Sequence, residues 1–110
     1  MNINIDGKKY SVSLEDNRAV KELISRLPLE LEMNELNGNE KYYYLDESLP
    51  ASVERVSRIK KGDIMLYGDD CLVIFYEPFN TSYSYTRIGR IDNIEDLNLG
   101  SGKISVLFSE

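Results

Sequence analysis

Apolar and polar residues alternate through most of this chain, and the breaks in the alternation mark its elements. Ile3 and Ile5, then Asp6-Gly7, then Tyr10, Val12 and Leu14 read as a hairpin with one face turned inward. Val20, Leu23, Ile24 and Leu27 follow at i, i+3, i+4 and i+7, one apolar stripe of a helix. Asp16 or Asn17 can cap that helix and Pro28 ends it. The period then returns to two. Leu29, Leu31 and Met33 alternate with Glu30, Glu32 and Asn34, which predicts a half-buried strand. Asn37-Gly38 is a type I′ turn signal, because both central residues of that turn need positive φ. Lys41–Leu45 comes back as a strand carrying three consecutive tyrosines.

Leu49-Pro50 opens a polar loop of roughly ten residues. Beyond the turn at Lys61-Gly62-Asp63, Ile64–Tyr67 and Cys71–Tyr76 read as strands joined through Gly68-Asp69-Asp70. The second is apolar at every position and is therefore expected to be buried on both faces. Pro78 to Ser82 is a loop, and Tyr83–Ile91 a strand in which Gly89 marks a bend, a bulge or a close backbone approach. Asp92 to Leu97 allows one helical turn, and Lys103–Phe108 is the last strand. About eight strands against one sound helix predict a single mostly-β domain, a closed barrel or a sandwich. At 110 residues, one hydrophobic core is the expected organisation.

Charge narrows the partners. A net charge of −6 disfavours nucleic acid, whose binding depends on phosphate neutralisation by Lys and Arg, and disfavours anionic membranes. No apolar run approaches the ~20 residues of a membrane helix, and the start, Met1-Asn2-Ile3-Asn4-Ile5, lacks the features of a signal peptide. A cytoplasmic protein is the expectation. The lone Cys71 lies in an apolar run and reads as a small buried hydrophobe rather than a reactive thiol. With no histidine, nucleophile–His triads are excluded, and a zinc site nearly so. Asp69-Asp70 and Asp92/Glu95/Asp96 lack calcium-loop spacing. No metal and no cofactor is expected.

Candidate chemistry gathers on tyrosine and arginine. Seven of the eight tyrosines fall between Tyr42 and Tyr85. Tyr83, Tyr85 and Arg87 share one strand face, and an arginine there can anchor a carboxylate or carbonyl while the rings clamp a planar or proline-like body. The same three residues also suit cross-strand packing, with Arg87 paired to a surface acid. Tyr42 and Tyr44 face away from Tyr43, so one set is exposed unless both faces are covered. Glu35, beside the Asn37-Gly38 turn, is a weaker candidate base, since turn formation explains that segment without a ligand.

The segments Met33–Leu45, Gly62–Tyr67 and Thr81–Ile91 together resemble a small bacterial family of cyclophilin-like-fold proteins of uncharacterised function. The resemblance spans nearly the whole chain and implies a closed eight-stranded β-barrel with one or two helices at its ends. In true cyclophilins, prolyl isomerisation depends on an arginine whose strand would fall near Lys41–Leu45. This chain has Tyr42, Tyr43 and Tyr44 there, and no His or Trp anywhere. Phe75, in Val73-Ile74-Phe75-Tyr76, is similar in context to a cyclophilin pocket wall.

The resulting expectation is a single cyclophilin-like domain that binds a small molecule or an extended peptide in a Tyr/Arg-lined cleft. Arg87 is its anchor, and Tyr83, Tyr85, Tyr42, Tyr44 and Phe75 or Phe79 are its walls, with Glu35 nearby. The alternatives are a weak peptidyl-prolyl isomerase and a non-catalytic assembly protein, a homodimer with tyrosines in its interface. Efficient isomerase activity is not expected.

Overall fold

The computed structural model describes all 110 residues. The chain forms the strands β1 (Asn2–Ile5), β2 (Lys8–Leu14), β3 (Leu29–Leu36), β4 (Glu40–Tyr44), β5 (Glu54–Arg55), β6 (Arg58–Ile59), β7 (Asp63–Tyr67), β8 (Cys71–Phe75), β9 (Phe79–Asn80), β10 (Ser84–Ile91) and β11 (Ile104–Ser109). One helix, α1 (Arg18–Ser25), and one 3-10 turn (Ile94–Asp96) complete it. Eight of the strands close in the order β2-β1-β11-β3-β4-β8-β7-β10, and β10 pairs back onto β2. Every pairing is antiparallel. The protein is a closed eight-stranded β-barrel. No helix is long and apolar enough to cross a membrane.

Local chemistry sets the closure. Asn37 and Gly38 both hold positive φ, 57° and 69°, so the β3–β4 hairpin turns as its Asn-Gly signal requires. The register of β10 against β7 slips between Arg87 and Gly89, leaving Ile88 as an extra residue in a bulge. Gly89 faces β2 so closely that a Cβ there would sit 2.5 Å from the Ser13 carbonyl oxygen. A side chain at this position would push apart the two strands whose pairing closes the barrel.

The helix is shorter than its stripe of apolar residues predicts. Asn17 caps it, its side-chain oxygen accepting from Val20 N–H at 2.9 Å. The end tightens before Pro28: Arg26 N–H bonds to Leu23 O and Leu27 N–H to Ile24 O, both i−3 contacts that stop the α-helix at Ser25. Ala19, Val20 and Leu23 join the inward residues of the barrel, whereas Ile24 stays 37% exposed and Leu27 is only partly buried. The segment after the 3-10 turn brings Leu97 and Leu99 into the same interior.

A second, smaller apolar cluster lies on the outside of the barrel. Met65, Cys71, Val73, Phe75 and Tyr85 point outward from β7, β8 and β10 and form one cluster with Val56 and Ile59, which cover part of it. The covering segment read as a featureless loop in the sequence. It pairs β5 onto β10 and β6 onto β9 instead. Strand β8 is therefore buried at all five positions, Leu72 and Ile74 inward and Cys71, Val73 and Phe75 outward.

Candidate functional site

The outer cover is incomplete, and where it stops the wall of the barrel carries a groove of about 240 Å³. Its lining comes from five consecutive strands of the barrel wall and follows from their registers. Leu36 contributes from β3; Glu40, Tyr42 and Tyr44 from alternate positions of β4; Cys71 and Val73 from β8; Tyr67 from β7; Tyr85 from β10 and Tyr83 just before it. Tyr42 lies opposite Val73, and Tyr44 and Tyr67 both lie opposite Cys71, so β8 forms the floor between two tyrosine-bearing sides.

The rings support one another edge-on. Tyr42 and Tyr44 have centroids 5.8 Å apart at 75°. On the other side Tyr67 meets Tyr83 at 5.8 Å and Tyr85 at 5.7 Å. Tyr85 in turn stands perpendicular to Phe75 at 5.7 Å, and Phe75 rests on Phe79 at 5.6 Å. Such pairs contribute ~0.5–1.5 kcal/mol beyond their buried area, enough to hold each ring's orientation. Tyr44, Tyr83 and Tyr67 nevertheless remain 62%, 61% and 46% exposed.

Four titratable groups of the lining, Glu40, Tyr44, Cys71 and Tyr85, are displaced upward, two of them with chemical consequence. Burial, followed by the charges of Asp70 and Glu40, pushes the Cys71 thiol up to about 11, which makes it a poor nucleophile at neutral pH. Partial burial, with the nearby Glu35 charge as the second cause, raises the Glu40 carboxyl above its ordinary 4.5. Glu40 takes part in none of the four ion pairs, and its carboxylate accepts no hydrogen bond.

The residues singled out in the sequence distribute unequally around this groove. Tyr42, Tyr44, Tyr83 and Tyr85 line it. Phe75 is fully buried beneath Tyr85, and Phe79 braces Phe75 from the side, so both support the wall without lining it. Arg87 is not part of the lining. Its Nε donates to Glu54 Oε1 at 3.1 Å, across the β10–β5 pairing. Of the two sequence readings of Arg87, the geometry matches pairing to a surface acid.

Glu35 lies on the other side of the wall. Its carboxylate accepts from Lys41 Nζ at 2.7 Å, from Tyr76 Oη at 2.6 Å and from Gly38 N–H at 2.6 Å. Desolvation pushes its pKa up, but these bonds outweigh it and hold the carboxyl below its ordinary value. A carboxylate that already accepts from three donors is occupied, and Glu35 is a structural group in this state.

Sequence reasoning missed Tyr67, Glu40, Leu36, Cys71 and Val73 as lining residues. Tyr67 was legible in principle, since it ends an alternating strand with its ring on the Met65 face. Glu40 carried no signal beyond its place two residues before Tyr42.

A larger hollow of about 440 Å³ lies between α1 and the β3–β4 wall, lined by Leu23, Arg26, Tyr43 and Leu45 among others. Its one cation is already engaged: Arg26 bonds to Glu22 and to the carbonyls of Glu47 and Ser48. The tyrosine groove is the better candidate, because it combines ordered aromatic rings with an unpaired polar group.

The fold is a closed antiparallel barrel with a groove on its outer wall. Residues 3–109 match the family model described as the cyclophilin-like family, and the chain belongs to that family. No curated protein and no solved structure shows a significant match.

Proposed function

We propose that this cyclophilin-like domain is a binding module whose ligand, a small molecule or one side chain of an extended peptide, sits between Tyr42/Tyr44 and Tyr67/Tyr83/Tyr85. The observation that carries this reading is the convergence of five tyrosines from three strands and the segment before β10 on one concave patch, with three of them largely exposed. Covering rings of this size is favourable by roughly 25 cal/mol per Å². A chain that pins Tyr44, Tyr67 and Tyr83 against neighbouring rings yet leaves them exposed is preorganised to let something else cover them. The volume argues for a modest ligand, because sites for drug-sized molecules run from about 300 to 1,000 Å³.

Prolyl isomerisation is disfavoured as the role of this groove. Lowering a rotational barrier of ~18–20 kcal/mol requires a donor aimed at the twisting amide. The lining holds no Arg, His or Trp, and Arg87 is committed to Glu54. A proline-peptide assay is expected to give a rate close to background. The second reading, self-association through the same face, is favoured by Leu36, which adds a 43% exposed aliphatic to the tyrosine patch.

Amide chemical-shift perturbation with a library of small amines, amides and aromatic fragments tests the proposal. Shifts confined to residues 40–44, 67–73 and 83–85, weakened about tenfold or more in Tyr83→Ala, support it. Shifts scattered over the surface and unaffected by Tyr83→Ala overturn it. A concentration-dependent solution mass that Tyr44→Ala abolishes would move the assignment to the second reading.

A further inference from the structure

The groove contains one charged group, and that group has no partner. Glu40 shares one face of β4 with Tyr42 and Tyr44, in a lining that is otherwise apolar or aromatic. All four ion pairs of the protein lie elsewhere: Arg26 with Glu22, Lys41 with Glu35, Arg87 with Glu54 and Arg90 with Asp63. The next residue, Lys41, cannot turn back to Glu40, because its side chain is fully buried on the opposite side of the strand.

We infer that the groove selects a weakly hydrated organic cation, an alkylated ammonium, seated against the tyrosine faces with Glu40 as its counter-ion. This rests on the reading of the groove as a binding site and names the ligand class for it.

Three features exclude the other classes. An anionic ligand would meet Glu40 and no cation in the lining, on a chain of net charge −6. A neutral ligand large enough to cover the groove would bury an unpaired carboxylate or force it to take up a proton. A metal ion would find one carboxylate and no cluster of three ligating side chains. An alkylated ammonium satisfies all three conditions. Its charge pairs with Glu40, its alkyl shell costs little to desolvate, and aromatic faces attract it through their quadrupoles. Tyr42, Tyr44, Tyr67 and Tyr83, backed by the buried Tyr85, are with one carboxylate the components of an aromatic cage. Burial and the Glu35 charge raise the Glu40 carboxyl, and a positive charge seated beside it would draw it back down.

Choline and its neutral isostere 3,3-dimethylbutan-1-ol, titrated separately into the labelled 110-residue chain, test the inference. They share shape and differ in charge. Choline is expected to shift resonances of Tyr42, Tyr44, Tyr67 and Tyr83 and to bind about tenfold or more tighter than the isostere. Glu40→Gln should weaken choline about ten- to a hundredfold and leave the isostere unchanged. Tyr44→Ala, at an exposed position where folding is not at risk, should weaken choline as well. A short peptide bearing trimethyllysine carries the same group. Either ligand binding more tightly supports the inference, and the order tells whether the ammonium arrives free or on a chain. Equal binding of choline and isostere, or no effect of Glu40→Gln, overturns the cation assignment while the groove stands as a site. If none of the three probes nor any library fragment shifts the groove, both readings fall.

Discussion

Glu40 and Lys41 are neighbours on β4, and they sit in opposite physical situations. Lys41 points into the barrel, is fully buried, and donates to Glu35 Oε1 at 2.7 Å and to the carbonyls of Gly100 at 2.9 Å and Gly102 at 2.5 Å. Its ammonium also lies 5.1 Å from the Tyr76 ring centroid. Glu40 points outward into the tyrosine groove and bonds to nothing. The inner group has three acceptors for three N–H donors. A buried charge persists in a folded protein only when it is paired and hydrogen-bonded. The outer group is left open at the surface, where an incomplete set of partners is tolerable and a ligand can complete it. One residue of alternation along a strand separates polarity that holds the fold from polarity available for binding.

Four substitutions probe that contrast. Lys41→Met is expected to have the largest effect, destabilising by about 3–5 kcal/mol, since it leaves Glu35 and the two glycine carbonyls without their cation. Urea denaturation measures it, and a loss below about 1 kcal/mol would mean the inner network is not the support described here. The folded fraction of this variant should keep its groove chemistry, because Lys41 does not line the groove.

Glu35→Gln comes next, at about 1–3 kcal/mol near neutral pH. Its dependence on pH identifies the cause. The folded-state pKa of Glu35 is depressed, so its contribution is complete above the ordinary value of 4.5 and disappears as pH falls through the lower folded value. Wild type should therefore lose stability on acidification below about pH 4.5 more steeply than Glu35→Gln, as a series of urea melts would record. Parallel curves would show that the inner carboxylate is not the acid-sensitive group.

Glu40→Gln is expected to act in the opposite direction. The raised pKa means that the folded state holds the proton more readily than the unfolded chain. Ionised Glu40 thus weakens the fold as pH rises through 4.5 and the higher folded value. Replacing it should leave stability at pH 7 unchanged or higher by up to about 1 kcal/mol, while cation binding falls. A marked loss of stability would give Glu40 a hidden structural partner and erase the contrast with Lys41.

Arg87→Ala should have the smallest effect. Its pairing with Glu54 is exposed on both sides, and such pairs contribute about 0–1 kcal/mol. Groove affinity should change less than about twofold. A ten- to hundredfold loss of affinity, roughly the value of a charge-assisted hydrogen bond, would restore Arg87 as the anchor.

Much of the barrel was legible in the linear pattern. The Asn37-Gly38 turn, the Asn17 cap and the return from helical to strand period at Leu29 each depend on local backbone chemistry, and each shows in the structure. Gly89 was legible as a special position, although the Ser13 carbonyl it approaches comes from a distant strand. The double burial of β8 was legible because an apolar run admits no solvent face. Four of the groove tyrosines were legible as a group, since period two places Tyr42 with Tyr44 and Tyr83 with Tyr85. The helix ends two residues before its apolar stripe does, because the N–H groups of Arg26 and Leu27 turn to i−3 acceptors.

The sequence by itself determined that this chain forms alternating strands, that they bury an apolar face, and that tyrosine is concentrated between Tyr42 and Tyr85. Those properties follow from interactions between residues near one another in the chain. Only the tertiary structure decided which polar groups find partners. Arg87 meets Glu54 from 33 positions away, Tyr76 reaches Glu35 across 41, and Lys41 closes on Gly102 across 61. Tyr67 joins Tyr83 only because β7 and β10 pair in one register. Whether a charged side chain supports the fold or waits for a ligand is set by which strands become neighbours. In a closed barrel that is fixed by long-range pairing, for which the chain carries no local signature.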